Sequence, residues 1–181
     1  MGTQRLWFTQ AIEGLFIRGL GERLTPAVRA KILEAGIDLS RLEPAYPIEQ
    51  VFRGARSVLP LLWPGVPEDE AFRQLGVAFM RGYAQTLVGG AMVQMMKLIG
   101  TRRTLERMQK NFRTGGNYLE TRFTPLGPTS VELWINDVSG MPGLYTGIIE
   151  EGGHFVGTKN LRIVAQPDAP PAHLYRIDWD A

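Results

Sequence analysis

The sequence predicts an α+β fold: a helical N-terminal half packed on a C-terminal β-β-α-β-β unit that forms a four-stranded antiparallel sheet. Three observations carry this. Up to Thr114 apolar residues recur three and four apart, and from Asn117 onward they alternate with polar ones. The change falls on a double glycine, Gly115-Gly116. The last third then holds two pairs of alternating segments on either side of one helical segment, Pro142 to Gly157.

Taken in order, Gln4 to Thr9 reads as a short strand with Leu6 and Phe8 on one side. Ala11 to Leu20 reads as a helix, with Ile12, Leu15 and Phe16 at helical spacing, ended by Gly19 and Gly21. Thr25-Pro26 starts the next helix, the threonine as N-cap and the proline in the first turn, where its missing N–H costs nothing. That helix stops at Gly36, and Ile37 to Pro47 reads as a turn-rich connector. Ile48 to Leu62 is a third helix, closed by Pro64-Gly65.

Pro67-Glu68-Asp69-Glu70 opens the longest expected helix, its three carboxylates complementing the positive end of the macrodipole. Run to Ile99, it would be about 45–50 Å long. Gly76, Gly82, Gly89 and Gly90 interrupt it, each costing about 1 kcal/mol relative to alanine. Close approach of another backbone, or a bend at Gly89-Gly90, is the expected reason. Gly100 is expected to cap this helix and Arg102 to Thr114 to form the next, with Gly115-Gly116-Asn117 as its left-handed C-cap. Leu119, Thr121 and Phe123 then pair with Val131, Leu133 and Ile135 across the turn Pro125 to Pro128. Leu161, Ile163 and Ala165 face His173, Tyr175, Ile177 and Trp179 across the loop Pro167 to Pro171.

A chain of 181 residues fits a single domain, 1–181. The net charge of +2 is too small to argue for nucleic acid. The absence of cysteine excludes disulfides, thiolate zinc sites, iron–sulfur ligation and a cysteine nucleophile together. The first fourteen residues lack the apolar core of a secretory signal. The most apolar run, Leu87 to Ile99, carries Gln94 and Lys97 and is too short to span a bilayer. A soluble cytoplasmic protein is expected.

Two groups of residues stand out as candidate sites. Tyr83, Met92 and Met96, with Met80 and Met95, are placed to line an apolar ligand pocket between the long helix and the sheet, since methionine adapts to irregular shapes. The same stripe also suits ordinary core or a dimer interface. Arg103, Arg107 and Lys110 share one helix face by their spacing. With Arg113 and the backbone around Asn117 they would receive an anion or a nucleotide, or simply form a solvated face. No Ser-x-x-Lys, Gly-x-Ser-x-Gly or Walker motif is present. Glu150 and Glu151 are adjacent and so point about 100° apart on a helix, which makes no carboxylate pair.

The order of elements resembles a superfamily that includes vinyl-4-reductase-type domains, the heme nitric-oxide-binding domain and Bet3-type tethering subunits. The segments GLFIRGL (Gly14–Leu20), AGIDLS (Ala35–Ser40), AYPIE (Ala45–Glu49), LGVAFMRGYAQTLVG (Leu75–Gly89) and RRTLERMQKNFRTGGNY (Arg102–Tyr118) resemble a family of paralogous proteins of undetermined function, numerous in myxobacteria. Neither resemblance brings a catalytic residue with it. Heme-binding members hold iron through a helical histidine. Here the histidines are His154, late in the last helix, and His173, at the start of the final strand, with no YxSxR-like cluster after either. Metal-binding relatives use cysteines near the C-terminal strands, and this chain has none. No cofactor and no metal are therefore expected. The leading expectation is a non-enzymatic sensor or adaptor that binds a small apolar or acyl-type ligand or a protein partner, as a homodimer with the long glycine-dotted helix as its interface. Two other readings stay open: an anion or nucleotide receptor using the basic helix 102–113, and an enzyme acting on a hydrophobic substrate with help from Tyr83 or Glu120.

Overall fold

A computed structural model describes residues 4–180 of the chain. Strand β1 (Leu6–Phe8) leads into α1 (Thr9–Ile12), which widens without a break into a π-helical stretch, Glu13–Arg18. After one 3-10 turn come α2 (Pro26–Glu34), β2 (Ala45–Pro47), α3 (Ile48–Leu62), α4 (Glu68–Tyr83), α5 (Leu87–Glu106) and α6 (Met108–Phe112). The C-terminal part is β3 (Thr121–Gly127), β4 (Ser130–Ile135), α7 (Pro142–Phe155), β5 (Lys159–Pro167) and β6 (His173–Asp180). The last four strands form one antiparallel sheet in the order β3-β4-β6-β5, so the fold is α+β. Alternation along the strands turns Val131, Leu133, Ile135, Tyr175 and Ile177 into the core, where they join Leu144, Tyr145 and Ile148 of α7. Strand β3 runs on through Pro125, where a turn is expected from the sequence. Its place at the sheet edge tolerates a residue with no N–H to give.

Helix α4 is the spine, and its glycines are sites of backbone contact. A Cβ on Gly76 would lie 2.1 Å from the Leu144 carbonyl oxygen. Across the same seam, one on Gly147 would lie 2.0 Å from the Arg73 oxygen and one on Gly143 2.0 Å from the Asp69 oxygen. On the opposite flank, one on Gly82 would lie 2.2 Å from the oxygen of Gly14, in the π-helical stretch. The Asp69 carboxylate also accepts a hydrogen bond from the Gly143 N–H at 2.8 Å, capping α7 from a different helix.

Several expectations need correction. The single helix over 67–99 is two helices, parted at Ala84 to Thr86. Thr86 is extended (φ −79°, ψ 158°), and its Oγ1 accepts from the Gly89 N–H at 3.0 Å, so it is the N-cap of α5. A Cβ on Gly89 would be 2.0 Å from the Tyr83 oxygen, so the new helix starts in contact with the last turn of the old one. The chain therefore turns ahead of Gly89-Gly90. Gly100 has a positive φ (75°) with ψ near 178°, which is not the left-handed helical geometry of a C-cap, and the chain resumes helix at once. Arg102 to Thr114 is thus not one helix: it is the end of α5, a break at Arg107 (φ −97°, ψ 11°), and α6. Gly115, Gly116 and Asn117 are not left-handed. Gly116 is small for another reason: its backbone bridges Trp7, and a Cβ would meet the Leu6 oxygen at 2.7 Å. The connector 37–47 contains β2, which pairs with β1. The partner lies about forty residues away, so no local pattern reports it.

Ion pairs reinforce the α4–α7 seam. Glu151 is buried, and Arg81 donates to its carboxylate at 2.8 Å and 3.1 Å, with His154 Nδ1 at 3.2 Å. Burial pushes this carboxyl up, but the bonds and charge of Arg81 and His154 outweigh it and hold it below the usual range. A lowered folded pKa contributes stability above the unfolded value of about 4.3, and that contribution is lost as pH falls through the folded value. Arg81→Ala is therefore expected to cost about 1–2 kcal/mol at pH 7, modest because Arg81 is largely exposed. The loss should shrink in acid. Urea unfolding at pH 7 and near pH 3.5 checks this, and an equal loss at both would rule Glu151 out as its source.

Candidate functional site

A cavity of about 60 Å³ lies where the helices meet the sheet. Its walls come from α4 (Phe79, Met80, Tyr83), the inner side of α5 (Met92, Met96), α6 (Met108, Phe112), α7 (Tyr145, Ile148, Ile149) and Ile177 of β6. Trp7 of β1 closes one side and stacks on Phe79, with ring centroids 5.4 Å apart. No charged side chain and no histidine is among the described lining residues. The space can hold a few waters or a small apolar molecule, whereas pockets for drug-sized ligands run to about 300–1,000 Å³.

Its few polar groups are already partnered. Tyr83 donates to Thr114 Oγ1 at 2.9 Å, and Thr114 donates in turn to the Asn111 carbonyl at 2.6 Å. The Tyr145 and Tyr118 hydroxyls are 3.3 Å apart, and Trp7 Nε1 donates to Tyr118 at 3.3 Å. Burial pushes the Tyr145 phenol well above its ordinary value. Burial also raises Tyr83, with the Thr114 contact opposing it. Both are neutral at physiological pH. The arrangement suits an uncharged ligand with a polar edge that one hydroxyl could meet.

Tyr83, Met92 and Met96, singled out from the sequence, lie together on this cavity, and Met80 joins them. Met95 does not: it points outward and is 41% exposed. Restarting the helix at Leu87 re-phases the stripe, so that Met92, Val93 and Met96 face in. The basic group is differently placed. Arg107 sits at the break between α5 and α6, so Arg103, Arg107 and Lys110 do not share one continuous helix. Arg103 and Arg113 are exposed. The Asn117 amide is engaged in holding β1, accepting from the Leu6 N–H at 2.8 Å and donating to the Gln4 carbonyl at 3.0 Å. Sequence reasoning missed Trp7 and Thr114 as cavity residues. Their only local signals, an aromatic in a three-residue strand and a threonine ending a helix, are commonplace.

The profile of a family described as "Protein of unknown function (DUF2378)" matches residues 5–180. No curated protein matches the chain. Among solved structures, a variant of the Tt H-NOX protein is similar over 95% of each chain, at 15% identity and a TM-score of 0.74. An oxygen binding H-NOX domain related to soluble guanylate cyclases is similar over 94% of this chain and 93% of its own, at 13% identity and a TM-score of 0.70. An H-NOX protein from S. oneidensis in the Fe(II)NO ligation state is similar over 93% and 99%, at 11% identity and a TM-score of 0.71. The chain shares their fold.

One of the similar structures concerns a heme and its porphyrin, which makes heme a group to test here. The residues present do not fit it. Iron would find neither imidazole nor thiolate on the cavity, and both phenols are held protonated. No cation is among the described lining residues to meet the propionates, and the space is far below the size of a porphyrin. His154 is largely exposed beside Glu151, and His173 packs by Tyr175 on β6. Neither reaches the cavity wall.

Proposed function

The chain belongs to this family of unknown function, and on that premise we propose that it is a non-enzymatic cytoplasmic sensor, one domain over residues 1–181. It takes a small, uncharged, apolar or acyl-type ligand into the cavity and passes that state on as a homodimer. The observation that supports this is the wall itself: thioethers, aliphatic side chains and two neutral phenols, with no charge among the described lining residues. Such a surface favours shape-tolerant apolar binding. The enzyme reading has less support. Glu120 is exposed and away from the cavity, and the buried carboxylates Asp137 and Glu151 are not among the lining residues.

Native mass spectrometry of the purified protein, followed by calorimetric titration with indole and benzene as apolar probes, tests the proposal. Binding is expected in the wild type and should be lost in Met92→Trp and Ile149→Phe, two independent fillings of the cavity. Circular dichroism confirms that the variants fold. Failure of both probes to bind, or undiminished binding in both fillings, would remove the reading. Hemin added to the protein should give no Soret band beyond that of free hemin.

A further inference from the structure

Helix α5 is apolar on two sides. Met92, Val93 and Met96 face the core, yet Leu87 is 92% exposed, Leu98 87% and Val88 40%. Leu87, Ala91, Met95 and Leu98 stand at i, i+4, i+8 and i+11, so they line up along the outer face over about 16 Å. A single exposed leucine is ordinary, but an aligned apolar row on one helix marks a contact surface.

We infer that this strip is where a second copy of the chain docks, the two α5 helices lying antiparallel across a two-fold axis between Met92 and Val93. The row is self-complementary under that axis: Leu87 meets the partner's Leu98 and Ala91 meets the partner's Gln94, with Gly90 and Ala91 keeping the crossing narrow. Charge selects the same orientation. Lys97 is the single charged residue from Ala84 to Thr101. Antiparallel packing holds the two copies of Lys97 about 13 Å apart along the axis, beyond a screening length of about 8 Å. Parallel packing would set them side by side. A stable pair needs about 800 Å² per partner, with an apolar centre and a polar rim. The strip supplies that centre, and exposed Gln85, Lys97 and Arg103 surround it.

The same helix presents Met92 and Met96 to the cavity, between a cap at Thr86 and the positive-φ Gly100. An occupant that moves α5 therefore moves the dimer surface. This coupling rests on the ligand reading; the surface itself does not. Sedimentation velocity at roughly 100 µM is expected to show a dimer for the wild type and a monomer for Leu87→Glu/Leu98→Glu. Because the chain has no cysteine, Leu87→Cys and Leu98→Cys each introduce a sole thiol. Mixed and oxidised, they should form the 87–98 disulfide heterodimer at least roughly tenfold in excess of either homodimer. A monomeric wild type, a double variant that still dimerises, or homodimer crosslinks equal to the mixed one would each overturn the inference. A monomer would leave the cavity reading standing, and a dimer that binds neither indole nor benzene would do the reverse.

Discussion

Gly76→Ala is expected to lower the melting temperature by roughly 6–12 °C, the equivalent of about 3 kcal/mol in a chain of this size. The added Cβ would sit 2.1 Å from the Leu144 carbonyl oxygen and 3.1 Å from the Gly147 Cα. Both obstacles are backbone, so no rotamer change relieves them and α4 must part from α7. The separation would also stretch the Asp69–Gly143 hydrogen bond and the Arg73–Glu150 pair across the same seam. Gly152→Ala is the control, because its nearest neighbour is the flexible end of Met96 at 3.4 Å. There the gain in helix propensity should offset the crowding, leaving the melting temperature near that of the wild type. Thermal unfolding followed by circular dichroism reads both. Were Gly76→Ala as stable as the wild type, the two helices could not be in backbone contact.

Trp7→Ala is expected to cost about 3–5 kcal/mol, the range for truncating a buried aromatic. Trp7 is buried, stacks on Phe79 and donates to the Tyr118 hydroxyl, while its backbone bridges Gly116. Trp7→Phe keeps most of the packing and loses the indole N–H, so it should cost only about 1 kcal/mol. Because Trp7 is also a cavity wall, its removal enlarges a space already present, and added indole should restore part of the lost stability by binding the folded state alone. Equal damage from both variants would assign the effect to the hydrogen bond. A Trp7→Ala protein indifferent to indole would mean that the widened space collapses or fills with water.

Much of the architecture is legible in the chain because it is written in local patterns. Thr25-Pro26 and Pro67 to Glu70 mark helix starts that the structure keeps within a residue or so. The alternation of Val131, Leu133 and Ile135 with polar neighbours marks a strand with one buried face. The break at Ala84 to Thr86 was not legible, since these three residues include neither glycine nor proline. Gly89 carries its trace, yet a glycine required by close approach looks the same in sequence as one that permits a bend. Strand β2 escaped notice because it is three residues long and defined only by its distant partner. Tyr83, Met92 and Met96 were placed on the cavity by period, whereas Met95 was misplaced because the assumed helix ran on in one phase.

By itself the sequence determined the helical character of the N-terminal part, the β-β-α-β-β order of the C-terminal part with its two hairpins around α7, and the absence of thiol chemistry. Each depends on spacing, on caps or on composition, which neighbours along the chain establish. Tertiary structure alone decided that α4 is clasped at backbone contact by α7 and the π-helical stretch, and which face of α5 looks into the cavity. A helix apolar all round has no preferred side of its own. The side that turns inward is chosen by what packs against it, and that information lies in parts of the chain far from the helix.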